Sequence, residues 1–110
     1  MLSPAVYHAV GIGTNHLSVV TYWEVVIKSM KGKLDVGDPQ AWWTLSLKKL
    51  NATFLNLKPE HIDGVYNLPM IHKDPFDRVL IAQAIAENLT LVTTDAAIAR
   101  YASDDFSVIV

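Results

Sequence analysis

The sequence predicts an α/β layer fold with a parallel sheet, folded as one domain over residues 1–110. Three features carry that expectation. Short apolar runs at Leu17–Val20, Thr53–Leu57, Leu89–Thr94 and Phe106–Val110 are separated by helix-length stretches. Alternation of this kind builds parallel strands joined by crossover helices. From Val79 to Ala86 the chain is apolar nearly all round, which marks a buried helix rather than an amphipathic one.

Composition narrows the function classes. Hydrophobic residues make up 51% of the 110 residues and charged residues 18%, a globular and not a disordered balance. A net charge of −2 argues against a strongly basic nucleic-acid module, yet leaves room for a local basic patch acting with a metal. Without cysteine the chain has no disulfide, zinc–thiolate site or thiol nucleophile, which fits a reducing compartment. No apolar run approaches the roughly 20 residues of a membrane span, and no leader pattern opens the chain. The expectation is a soluble cytoplasmic protein with no membrane partner.

Residues 1–16 are atypical. Ser3-Pro4 is a start signal for a short helix through Val10, and Gly11-Ile12-Gly13-Thr14-Asn15 reads as a loop. Gly11-x-Gly13 lacks a third glycine at His16, so a plain turn outweighs a nucleotide loop. A strand at 17–20 leads to a helix over Thr21–Met30. Thr21-x-x-Glu24 has capping-box spacing, and Lys28 stands four residues after Glu24, the favourable order for an ion pair. Lys31-Gly32-Lys33 ends this helix, with Gly32 suited to the left-handed cap. Lys28, Lys31 and Lys33 are the densest positive patch in the chain and the candidate phosphate contacts.

Asp38-Pro39 opens a helix through Leu50. Its Trp42-Trp43 pair reads as core or interface before base-stacking platform. A strand at 53–57 and a short helix over 59–68 follow. Asp74 then caps the buried helix, with Pro75 at its first position, and Asp77 falls in its first turn. That helix runs to about Asn88. After the strand at 89–94, Asp95 is an N-cap for a helix over 96–101, and residues 106–110 form the last strand.

Each acid has a capping explanation, but their positions coincide. Glu24 follows the first strand, Asp95 follows the strand before the last, and Asp77 opens the helix feeding that strand. In an open α/β sheet the carboxyl ends of parallel strands share the edge where ligands bind. Clustered carboxylates repel one another, and a hard divalent cation relieves the repulsion. Such a site suits metal-assisted phosphodiester hydrolysis, in which the cation acidifies a water and neutralises charge building on the phosphate. The histidines (His8, His16, His61, His72) have no nucleophile-elbow serine beside them, so acyl transfer is not signalled.

Trp23-Glu24-Val25-Val26-Ile27-Lys28, Gly32-Lys33-Leu34, Leu68-Pro69, His72-Lys73-Asp74-Pro75-Phe76-Asp77-Arg78 and Thr93-Thr94-Asp95 together resemble PIN-domain proteins. The likeness is strongest to VapC-type toxins of bacterial toxin–antitoxin pairs and covers residues 17–110. It implies a magnesium- or manganese-dependent endoribonuclease with an α/β/α sandwich, an antitoxin that blocks its site, and frequently a homodimer. Motif by motif, Glu24, Asp77 and Asp95 fall on the family's acidic catalytic and metal site, with Asp74 as a further contributor whose capping role competes. Thr93 and Thr94 would orient Asp95 from behind, and Arg78 and Lys28 are phosphate or structural partners. One departure stands out. Family members open with a strand carrying an aspartate, whereas no acid precedes Glu24 here. The expectation is an N-terminally shortened domain in which residues around Ala5–Ile12 fill the gap, the strands at 17–20 and 89–94 close on each other, or a second chain pairs there. Beside the toxin ribonuclease stands an alternative of another class, an inactive PIN remnant serving as a protein-binding module. An unrelated α/β domain in which every acid is a cap ranks last.

Overall fold

The computed structural model describes residues 8–11, 14–69, 74–92 and 107–109. Among these, five strands form one sheet and four helices pack with it. In chain order they are β1 (His8–Gly11), β2 (Thr14–Ser18), α1 (Val19–Met30), α2 (Pro39–Lys49), β3 (Thr53–Leu55), α3 (Pro59–Tyr66), α4 (Pro75–Ala86), β4 (Thr90–Val92) and β5 (Ser107–Ile109). The sheet order is β3-β2-β1-β4-β5. This is the mixed α/β arrangement of a PIN-like α/β/α sandwich.

The middle of the sheet departs from the sequence expectation. The short helix expected up to Val10 is strand over residues 8–10, and Gly11, Thr14 and Asn15 are strand rather than loop. Residues 3–7 of that helix lie outside the described residues. β1 sits between β2 and β4, so a strand from the stretch around Ala5–Ile12 stands in the middle of the sheet. It runs antiparallel to both neighbours, with His8 opposite Leu17 on one side and Val92 on the other. Connection length explains the sense. Two residues separate β1 from β2, and a parallel return needs a crossover of a dozen or more. β2 pairs in parallel with β3, and β4 with β5. Since β2 and β4 both oppose β1, the four outer strands run the same way. Their carboxyl ends therefore share one edge, as a parallel sheet would have placed them.

α1 begins two residues earlier than its sequence signals. Ser18 is the N-cap, its hydroxyl accepting from Val20 N–H at 3.0 Å. Thr21 is consequently inside the helix, and Glu24 lies in its second turn, where it caps nothing. The helix closes as expected on Gly32, at φ +69°, with Lys33 N–H donating to Lys28 O and Gly32 N–H to Ser29 O. That paired closure needs the left-handed conformation glycine adopts freely. α4 is the buried helix foreseen. Leu80, Ile81, Ala82 and Ala84 are at most 3% exposed and meet Leu17, Val20 and Val25 in the core. α3 lies close against it, where a Cβ on Gly64 would stand 3.4 Å from the Ala82 methyl. α2 joins α1 through Tyr22 and Trp43, whose rings stack at 4.8 Å and 9°. Trp43 thus takes the packing role.

Candidate metal centre

Glu24 and Asp77 are the two carboxylates that the folding of α1 and α4 brings into the interior. Glu24 is 7% exposed and Asp77 3%. Asp74 holds the start of α4, its Oδ1 accepting from Phe76 N–H at 2.9 Å and Asp77 N–H at 3.5 Å. Asp77 therefore sits at the positive end of the helix dipole, which favours its charge. The two helices are joined beside the acids by Trp23 and Phe76, edge to face at 5.0 Å and 80°.

Lys28 reports the shared environment. Its ammonium donates to Glu24 Oε2 at 2.6 Å, the i,i+4 pair the sequence suggested. Burial works against the Lys28 charge, but the hydrogen bond to Glu24 and the attraction of Glu24, Asp74 and Asp77 outweigh it. Its pKa is held above the ordinary lysine value of 10.5. Acids separated by fifty residues of sequence thus act on one ammonium group. Carboxylate oxygens are the donor type hard divalent cations take, but among the described residues Glu24, Asp74 and Asp77 do not bring three ligand atoms within 4.8 Å of one another.

A cleft of about 260 Å³ opens alongside, lined by Ile27, Lys28, Lys31, Lys33, Asp74 and Phe76. Lys31 and Lys33 are exposed on its rim and form no ion pair among the described residues. Arg78 takes the structural of its two readings. Only 8% exposed, its guanidinium donates to the carbonyls of Val65, Leu68 and Pro69 at 2.9 to 3.3 Å, closing the end of α3. Thr93, Thr94 and Asp95 lie outside the described residues and follow directly on β4 in the chain.

Sequence reasoning passed over a second polar group, on the other flank of α4. His61 is fully buried, and its Nδ1 accepts from Lys58 N–H at 3.1 Å and faces Gln83 Nε2 at 3.3 Å. The ring hydrogen is thereby assigned to Nε2, which donates to Glu87 Oε2 at 2.8 Å. Gln83 also receives the Ser18 hydroxyl hydrogen and donates to Asn56 O. Glu60, His61 and Glu87 offer metal-type ligand atoms within 4.8 Å of one another. Lys58 lies 3.9 Å from Glu60 and 3.8 Å from Glu87, a looser pairing than that of Lys28 with Glu24. No spacing motif announces this cluster, because Glu60 and His61 stand on α3 and Glu87 follows α4, 26 positions after His61.

A PIN-domain family model matches residues 5–104. The chain belongs to the PIN-domain family. No curated protein and no solved structure matches it. Membership gives this PIN domain a nuclease-type function, in a family whose members generally depend on a divalent metal. Among its described residues no helix is long and apolar enough to cross a membrane.

Proposed function

We propose that this PIN domain is a magnesium- or manganese-dependent endoribonuclease and the toxin of a toxin–antitoxin pair. The observation that carries the reading is that α1 and α4 each bury a carboxylate, Glu24 and Asp77, next to the Trp23–Phe76 contact that joins the two helices. Glu24, Asp77 and Asp95 hold the cation, with Asp74 at the entrance and Thr93 and Thr94 steadying Asp95. When bound, the cation supplies positive charge for the phosphate and acidifies a water. One of the carboxylates takes the proton of the attacking water, which displaces a ribose oxygen in line at phosphorus. Lys28 orients the Glu24 carboxylate through its hydrogen bond, and Lys31 and Lys33 hold the RNA backbone. An antitoxin that covers the same edge, a homodimer and a cytoplasmic setting complete the proposal; the ordered motifs from Trp23 to Asp95 support it.

The test is cleavage of single-stranded RNA by the purified chain, with magnesium, with manganese and with a chelator. Cutting is expected with either ion alone. Asp77→Asn is expected to lose at least the ~10–100-fold that follows even from removing a residue supporting a ligand. Equal cleavage by wild type and Asp77→Asn would assign the activity to a contaminant.

A further inference from the structure

Trp23 is the residue of this region that the metal site leaves without a role. It is 55% exposed although it lies beside buried Glu24. A single exposed tryptophan is ordinary. This one is braced, because Phe76 holds its ring edge to face at 5.0 Å. Tyr22 and Trp43, by contrast, spend their faces on each other. Trp23 and Ile27 stand at i and i+4 of α1 and Lys31, its C-cap, at i+8, a span of about 12 Å at 1.5 Å per residue. Ile27, Lys31 and Phe76 line the cleft and exposed Trp23 stands against Phe76 next to it, so an aromatic ring, an apolar floor and a positive charge are neighbours there. Lys33 adds a second ammonium on the same rim.

We propose that Trp23 and the Lys31–Lys33 rim form a subsite for one unpaired RNA nucleotide beside the bond to be cut, with its base stacked on Trp23 and its phosphate held by the two lysines. A base has two apolar faces and a phosphate one full charge, and Trp23 and the lysines meet both. A duplex offers no free base face, so the subsite selects single strands. The subsite rests on the ribonuclease reading of the neighbouring carboxylates, but its binding is measurable with the metal removed.

The experiment is fluorescence anisotropy of a short labelled single-stranded RNA with the full chain in excess chelator. Trp23→Leu is expected to weaken binding about tenfold, and Trp23→Phe to keep most of it. Lys31→Gln with Lys33→Gln is expected to lower the salt slope of log affinity by about 0.7, one phosphate's worth. With the unaltered protein, abasic replacement at a single position of the RNA should reproduce the tenfold loss, and Trp23→Leu should no longer sense that position. A uniform abasic scan, equal affinity of Trp23→Leu and wild type, or equal affinity for duplex RNA overturns the subsite. Stacking without metal-dependent cleavage keeps the subsite and removes the nuclease. Asp77-dependent cleavage with unchanged binding by Trp23→Leu does the reverse.

Discussion

Glu87 shows how a single side chain ties charge to stability in this molecule. The hydrogen bond from His61 is the main influence on its carboxyl, opposed by burial and helped by the attraction of Lys58, His61 and His16, and it pulls the pKa below 4.5. A carboxylate with a lowered folded pKa stabilises at pH values above its unfolded pKa, and that contribution is lost as pH falls through the folded value. Urea midpoints are therefore expected to separate wild type from Glu87→Gln at neutral pH and to converge below about pH 4.5. A gap that stays constant into acid would show that the carboxylate charge adds nothing. Lys28 has the opposite sign. Its pair with Glu24 contributes below the unfolded lysine value and fades only as pH rises beyond 10.5. At this scale the sequence was legible where partners are four residues apart, as Glu24 and Lys28 are. It was silent on His61 and Glu87, 26 positions apart. Glu24 was legible as an acid worth noticing, but its local explanation failed because Ser18 took the capping role from Thr21.

The helices owe their limits to side chains that also serve the interior. Ser18 accepts from the first turn of α1 and gives its hydroxyl hydrogen to Gln83 in α4. Ser18→Ala removes a cap and leaves a buried amide oxygen short of a donor, together about 2–3 kcal/mol. Chemical denaturation measures this loss, and a change below about 0.5 kcal/mol would mean a water replaces the hydroxyl. Gly64 sets how closely α3 approaches α4. Gly64→Val adds a branched side chain where even a lone Cβ would already touch the Ala82 methyl at 3.4 Å, and is expected to cost about 1–3 kcal/mol in the same measurement. α4 was the element most open to sequence reading, since Asp74, Pro75 and an unbroken apolar run agree on its start and its burial. The end of α3 was not, because Arg78 closes it from a different helix.

Across the whole molecule β1 joins two half-sheets, β3-β2 on one side and β4-β5 on the other. Its backbone is bonded along both edges, so Ala9→Pro removes an N–H that a neighbour needs. The expected loss is at least about 2 kcal/mol, read as a lowered thermal midpoint together with faster amide exchange in β2 and β4. Unchanged exchange would place the join elsewhere. The family resemblance and the shared carboxyl edge were readable from the order of the motifs. The middle strand was not, because four residues, His8-Ala9-Val10-Gly11, are too few to show a period, and their pairing with residues 90–92 is remote. That remoteness has a consequence during synthesis. One flank of β1 is satisfied as soon as residue 18 is made, whereas the other must wait until residues 90–92 leave the ribosome. Throughout that interval the nascent chain carries an open seam, ready to be zipped by any extended segment that passes.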